Sequence, residues 1–507
     1  MNLENRIRDV LRLHPGVRDA VVLRQGDALK ALVVPEPAYM EEVLGSGGAV
    51  SASLAKWRKV FDLTQFTKEA ASAPVGFNTL GWNSSYTRRP IPADQMLEWV
   101  ESTLGDILPL EPRTVLEVGC GTGLLLMRIA PHCDRYIALD FSPAVLASLR
   151  RQLLDVPAFA ERVQVMERRA DNLEGLDPNS VDTVVINSVV QYFPSVSYLT
   201  ELLQKVFDLV RDGGHVFVGD VLSLPLEPLL ALSVELFHSA NEVSVEELRK
   251  RIERRIDTGQ ELILSPAYFL SLQRHYPRVS SVEILPRRDL ADNEMSRYRY
   301  HAILHIGPEA GPSSKVEFLD WTEGESSLES IRPLLQHSRG ECFGIKHIPN
   351  GRLEYDLAVM ARLRTADAKV TVAQLRRHAD QALRRGIHPR KLIDLGTTLG
   401  LKVLLSWAAC YPDGSYDAVF VPTHLLGHSP LSVSWPAPVA SGFVRFSNAP
   451  RQSTFRAELV RRLLTHCKQE LPGDMVPVEI ILADSLVNTA SGDVDLEALL
   501  AASSNRL

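Results

Sequence analysis

Cysteine is scarce in this chain. Its 507 residues include five, Cys120, Cys133, Cys342, Cys410 and Cys467, scattered and never spaced as a CxxC pair. That excludes a zinc ribbon and a disulfide-stapled scaffold, predicts no metal, and points to reduced thiols in a cytoplasmic protein. No apolar run approaches the ~18 residues of a membrane helix, and Met1-Asn2-Leu3-Glu4-Asn5-Arg6 does not read as a signal peptide, so no membrane partner is expected. An excess of positive charge is missing too. Lys and Arg number 55 against 62 Asp and Glu, a net charge of −7, which excludes bulk nucleic-acid binding. No internal repeat is visible. What remains is an ordinary globular composition, 45% apolar and 23% charged, with length for two to four domains of about 150 residues each.

The most informative stretch is Thr114-Val-Leu-Glu-Val-Gly-Cys-Gly-Thr-Gly123. A short β-branched run ends in glycines at alternate positions, Gly119, Gly121 and Gly123, and an apolar helix pattern follows from Leu124 to Ala130. Strand, tight turn and helix are implied, with glycine permitting both the bend and the approach of a ligand to bare backbone. A dinucleotide fingerprint wants G-x-G-x-x-G. The G-x-G-x-G spacing here, with Glu117 two residues ahead, suits S-adenosylmethionine (SAM), which has no pyrophosphate and has an amino-acid end needing polar contacts.

Three further strands support this. Arg135–Asp140 ends in an acid placed to accept a ribose, roughly 20 residues after the glycines. Val163-Gln-Val-Met-Glu-Arg-Arg-Ala-Asp171 ends in an acid placed to take an adenine amino group. Val181–Ser188 opens into polar residues. With helical segments between them, these predict a parallel Rossmann-like sheet with its ligand beyond the strand C-termini. The expected cofactor set is Tyr86, Glu117, Gly119, Gly121, Gly123, Asp140, Phe141, Asp171, Asn172, Asn187 and Ser188.

Three Gly/Pro/Ser-rich joints, at 45–48, 307–314 and 435–442, divide the chain into pieces of roughly 1–48, 49–306, 307–442 and 443–507. The first reads as a helix (Leu3 to Leu13), a turn at His14-Pro15-Gly16 and two strands. The last reads as an amphipathic helix (Phe455 to Cys467), a turn at Leu471-Pro472-Gly473 and a strand. Each is too small to bury a core alone. The economical expectation is that the two ends fold together, with the middle inserted between them.

Both ends resemble the small C-terminal lobe of nonribosomal peptide synthetase adenylation domains. The carrying phrases are His14-Pro-Gly-Val-Arg-Asp-Ala-Val-Val22, Leu471-Pro-Gly-Asp-Met-Val-Pro477 and Ser491-Gly-Asp-Val-Asp-Leu-Glu-Ala-Leu499. The middle resembles the class I methyltransferase embedded in such lobes, through Gly81-Trp-Asn-Ser-Ser-Tyr86, the glycine turn, Asn187-Ser-Val-Val-Gln-Tyr-Phe-Pro194, Gly219-Asp-Val221, Asn293-Glu294 and Arg297-Tyr-Arg-Tyr300. Residues 315–434 resemble that family's C-terminal α/β extension, through Ile348-Pro-Asn-Gly-Arg352 and Asp413-Gly-Ser-Tyr-Asp417. The resemblance implies an α/β fold: a class I SAM methyltransferase with an extension, inserted in a small α+β lobe. It also implies a lid role for the Tyr86 segment. Two departures stand out. The large adenylation lobe is absent, and Asp493 and Asp474 occupy positions where the family has lysine and tyrosine. A carboxylate at 493 has the wrong sign to meet a phosphate, so the lobe is expected to be an inactive remnant.

Methyl transfer from a sulfonium needs positioning and exclusion of water more than acid–base help. An α-amino group, with a pKa near 8, is partly neutral at pH 7, whereas a hydroxyl or carbon acid needs a base. The candidate catalytic residues are Gln191, Tyr192, Asp220, His238 and Glu294, with Glu242 and Tyr298 as further candidates to face the acceptor. The basic run Leu248–Arg255 and the group Arg384, Arg385, Arg390 and Lys391 read either as docks for an acidic carrier protein or as solvated surfaces. By resemblance the acceptor is the backbone amine of an aminoacyl or peptidyl unit on a peptidyl carrier protein, with other synthetase modules as further partners. Methylation at O, S or C, a methyltransferase-like epimerase, and a non-catalytic scaffold remain alternatives.

Overall fold

The structure, a computed structural model, describes residues 3–25, 28–36, 38–39, 55, 57–59, 62, 74–308, 316–322, 327–336, 341–382, 385–425, 433–436, 446–448, 450 and 452–483. The Gly45–Gly48 joint, most of the third joint, Arg384 and Asp493 lie outside them. The chain divides into two compact units: Met1–Leu54, Arg249–Gln260 and Ala449–Leu507 form one, and Ala55–Leu248 and Glu261–Asn448 the other.

In the first unit the helix Leu3–Leu13 buries Ile7 and Leu11, one turn apart on one face. It leads into β1 (Val17–Gln25), which pairs antiparallel with β2 (Ala28–Pro35).

The second unit begins its main sheet at β3 (Thr114–Val118), followed by β4 (Arg135–Asp140), β5 (Val163–Glu167), β6 (Val181–Asn187), β7 (Val210–Leu222), β8 (Val279–Pro286) and β9 (Arg299–Ile306). Their order across the sheet is β5-β4-β3-β6-β7-β9-β8, and β9 alone runs antiparallel to its neighbours. β6 is buried at all seven positions, as expected for a strand covered on both faces. The sheet reverses its winding between β3 and β6, and crevices at such a switch point take ligands. This is the class I Rossmann-like methyltransferase architecture.

The extension adds a second sheet in the same unit, from β10 (Glu317–Asp320), β11 (Phe343–Ile348), β12 (Leu401–Ser406) and β13 (Tyr416–Pro422), in the order β10-β11-β13-β12. It is locked to the main sheet by side chains: Arg352 is buried and donates from both terminal nitrogens, to Ser296 O at 2.5 Å and Arg287 O at 2.6 Å. The chain then returns to the first unit. The helix Gln452–Glu470 buries Phe455, Leu459, Leu463 and Cys467 in one core with Ile7, Leu11 and Ala20, and β14 (Glu479–Leu482) pairs parallel with β2.

Two local expectations are corrected. The helix after the glycine turn is one turn long, Leu126–Ile129, because Pro131 carries the chain into a 3₁₀ turn at Ala130–His132. And Asp220, which the sequence pattern places at the end of a fifth strand over Val216–Val218, does not end its strand. β7 continues to Leu222 through a bulge between Val218 and Val221, with Asp220 at φ 61°.

Candidate functional site

The glycine turn leaves β3 with all three glycines in the left-handed region, at φ 75° for Gly119, 52° for Gly121 and 85° for Gly123. Side chains avoid that region, but the three positions differ in their surroundings. A Cβ at Gly119 would lie 2.4 Å from Val189 Cγ2, and one at Gly123 2.7 Å from Leu149 Cδ1. A Cβ at Gly121 would meet nothing within 4 Å. The outer two glycines fit the turn to the protein. The middle one leaves a cradle that an added side chain would fill.

The N–H groups of Gly119 and Cys120 donate to Leu139 O at 2.8 and 2.9 Å, which ties the turn to the end of β4. There Asp140 is buried, its Oδ2 accepting from Gly121 N at 3.0 Å and its Oδ1 from Ser142 N at 2.9 Å. Burial pushes this carboxyl up, and the backbone donors oppose the shift. Ser142 Oγ caps the helix Pro143–Leu154 and donates to Asp62. Glu117, also buried, accepts from the Tyr136 hydroxyl at 2.8 Å. Burial pushes its carboxyl up to about 8 against that hydrogen bond, and Asp140 nearby adds to the rise. The Cys120 thiol is pushed up by burial, which leaves it inert. Phe141 is half-buried next to Asp140.

Asp171 and Asn172 sit in the turn after β5. The Asp171 carboxylate is held by Arg169 Nε and Nη2 at 3.0 and 2.8 Å, and Asn172 Oδ1 accepts from Glu174 N at 3.3 Å. Both line an open groove of about 680 Å³ with Leu173, Lys205 and Asp208. Their side chains are therefore engaged locally.

Across the crevice, β6 ends at Asn187 and a left-handed Ser188, φ 57°. Asn187 Nδ2 donates to Ser188 Oγ at 3.3 Å, and Asn187 Oδ1 is buried with no hydrogen-bond partner among the described residues. Only glycine fits beside it, since a Cβ at Gly219 would lie 2.1 Å from that oxygen. Gln191 Nε2 donates to Ser188 O at 3.0 Å. Tyr192 is packed against Trp57 at 4.6 Å between ring centroids, and burial pushes its hydroxyl up to about 12. Asp220 is fully buried. Its Oδ1 accepts from Trp99 Nε1 at 3.2 Å, and its Oδ2 from Ser188 Oγ at 2.7 Å and Arg299 Nη1 at 2.5 Å. Asp220, Glu261 and Glu294 all act on Arg299 and hold it charged against its burial.

The remaining candidates have other engagements. Both oxygens of buried Glu294 accept from Ser85 N, at 2.9 and 3.0 Å, and His238 Nε2 lies 3.1 Å from Ser85 O. Tyr86 donates to Ser233 Oγ at 3.1 Å and packs edge-on against Phe237. Glu294, with both oxygens, and His238, through Nε2, thus hold the Ser85–Tyr86 segment. Glu242 is exposed in a turn, and Tyr298 donates to Asp356. Trp99 and Arg299 are the partners that sequence reading missed. Arg299 was visible only inside the Arg297–Tyr300 phrase, as a cation opening an apolar strand, and Trp99 gave no signal.

Among the described residues no group of three or more His, Cys, Asp or Glu is arranged to hold a metal ion, and no helix is long and apolar enough to cross a membrane.

A family model described as a methyltransferase domain matches residues 116–216, which run from β3 through the glycine turn into β7. The chain carries a methyltransferase domain of the SAM-dependent class. The methyltransferase is similar over nearly its whole length to parts of nonribosomal peptide synthetases. It is 34% identical over 97% of its length to chondramide synthase cmdD of Chondromyces crocatus, covering 13% of that protein. It is 31% identical over 96% of its length to nonribosomal peptide synthetase agiA of Aspergillus flavus, covering 6%. It therefore spans a small fraction of these curated relatives. Among solved structures, the N-methyltransferase NodS of Bradyrhizobium japonicum, in complex with S-adenosyl-L-homocysteine, matches at 12% identity with a TM-score of 0.30, over 50% of this chain and 98% of NodS.

Bound SAM supplies a methyl group already activated on a sulfonium. The residues present fit it: the cradle at Gly121, the acid at the end of β4, and Glu117 behind the turn. If SAM binds here, Asp140 would accept ribose hydroxyls and Glu117 would meet the amino-acid end.

Proposed function

We propose that the methyltransferase methylates the backbone amine of an aminoacyl or peptidyl unit tethered to a carrier protein, within nonribosomal peptide biosynthesis. The observation that carries this is the acceptor side of the crevice, which offers a carbonyl oxygen, Asn187 Oδ1, without a hydrogen-bond partner among the described residues, near the carboxylates that surround Arg299. An amine suits that setting. Its N–H donates to Asn187 Oδ1, which aims the nitrogen lone pair, and the nearby carboxylates favour the ammonium that methylation leaves. With a pKa near 8, roughly a tenth of an α-amino group is neutral at pH 7, so a protein base is dispensable. Carbon methylation or epimerisation would need one. Asp220 keeps Ser188 in its left-handed conformation and thereby fixes Asn187 and Gln191. Tyr192 and Trp57 exclude water. The similarity to synthetases supports the tether, which would raise the effective concentration of the acceptor.

We propose further that the unit containing β1, β2 and β14 is an adenylation remnant without activity. Amino-acid-dependent pyrophosphate exchange above background would overturn that.

Intact-mass analysis of aminoacyl-loaded carrier proteins with SAM tests the main reading. The expected result is a one-methyl increase on the amine, much faster than on the free amino acid. Methyl on carbon or oxygen, or equal rates on free and tethered acceptors, would refute it.

A further inference from the structure

The extension contributes a buried acid to the other sheet. Asp356 lies in the first turn of the helix Glu354–Thr365 and is 2% exposed. Its Oδ2 accepts from the Tyr298 hydroxyl at 2.6 Å and lies 3.5 Å from Arg297 Nη1. Ser233 Oγ, which accepts from the hydroxyl of Tyr86 at 3.1 Å, acts on both the Asp356 carboxyl and the Tyr298 hydroxyl. Tyr86, Ser233, Tyr298 and Asp356 therefore form one polar cluster, with Tyr86 bonded to Ser233 and Tyr298 to Asp356.

A second route reaches the same place. The helix Glu294–Tyr298 is held by the extension at two points, Tyr298 through Asp356 and Ser296 O through Arg352. At its opposite end Glu294 grips Ser85 N with both carboxylate oxygens. Both routes from Asp356 thus converge on the neighbouring residues Ser85 and Tyr86. Four polar groups are consumed in aiming a short surface segment, although apolar packing between the sheets would fill the same space without the cost of burying a charge.

We propose that Asp356 is a positioning residue of the methyl-transfer site: through Ser233 and Tyr298 it sets the pose of the Ser85–Tyr86 segment over the cofactor. The extension is then part of the binding apparatus, and the affinity for SAM depends on a side chain outside the Rossmann-like sheet. This rests on the reading that Tyr86 faces the cofactor.

The test is a double-mutant cycle read by calorimetric titration of SAM. Tyr86→Phe and Asp356→Asn should each weaken binding on the order of tenfold, and the double variant should be no weaker than the worse single one. KM for SAM should rise with kcat nearly unchanged. Should Asp356→Asn fail to fold, Ser233→Ala, which breaks the cluster without removing the charge, should show the same non-additivity with Tyr86→Phe. Asp417→Asn is the control. That residue is buried in the extension, where its Oδ1 accepts from His347 N and the Tyr411 hydroxyl, and the variant should bind SAM as wild type does. Additive losses in the cycle, or an equal loss in the control, would overturn the proposal while leaving the cofactor site intact. Absence of SAM binding in the wild type would sink the site reading and this proposal together.

Discussion

Replacing Gly121 separates folding from binding better than any other change in the turn. Its φ of 52° makes any L-residue costly there, by about 1–2 kcal/mol for alanine, which in a unit of this size lowers the melting temperature by a few degrees at most. No protein atom lies within 4 Å of the new Cβ, so no packing penalty adds to that. The methyl group instead occupies the cradle assigned to SAM. Overfilling a close-packed contact costs about 1–3 kcal/mol, which is roughly a 5- to 150-fold loss of affinity. Valine, with two more carbons, should abolish binding. Gly119→Ala provides the contrast, because its Cβ would lie 2.4 Å from Val189 and the damage should appear first in the melting temperature. Calorimetric titration of SAM beside thermal melts of the unliganded variants reads both effects. If Gly121→Ala and Gly121→Val both bind SAM like wild type, the cradle does not hold the cofactor.

Asp140→Ala should weaken SAM by about 1–3 kcal/mol through loss of charge-assisted hydrogen bonds; an unchanged dissociation constant would remove Asp140 from the ribose. For Glu117, the folded state raises the carboxyl from its ordinary 4.5 to about 8, so the folded chain holds a proton that the unfolded chain has lost. Its contribution to stability is full below about pH 4.5 and declines as pH rises through about 8. Glu117→Gln should therefore melt progressively higher than wild type as pH is raised from 6 to 9, and parallel melting curves would contradict this. Arg352→Leu leaves Ser296 O and Arg287 O without their donors. It should destabilise the unit by about 2–4 kcal/mol, which chemical unfolding would register; a change under about 0.5 kcal/mol would show the clamp to be dispensable.

The fold class was legible because its signals are local. Alternate glycines ask for left-handed backbone, and all three adopt it. Val181–Asn187 is apolar enough to be a strand covered on both faces, and β6 is one. What sequence reading missed is non-local. The partners of Asp220 lie 121 and 79 residues away at Trp99 and Arg299, and Tyr298 meets Asp356 across 58 residues; no spacing rule links such pairs. His238 and Glu294 look like bases by residue type, and only coordinates reveal that the Ser85 peptide meets both oxygens of Glu294 and one ring nitrogen of His238. The bulge at Asp220 escaped notice because Val216–Val218 and Val221–Leu222 each fit a strand, and of the two residues between them Asp220 breaks the alternation only through its backbone angle.

The pairing of β2 sets a clock. Lys30 joins Glu479 and Val33 joins Leu482, so about 450 residues must be synthesised before the second edge of β2 is covered. At roughly 5–20 residues per second, that edge stays open on the ribosome for about 20–90 s. An open edge beside unfilled apolar surface recruits other strands, and the helix bringing Phe455, Leu459 and Leu463 to that surface is equally late. The β1–β2 hairpin thus waits for a strand made long after it, and its stability is completed only when β14 arrives.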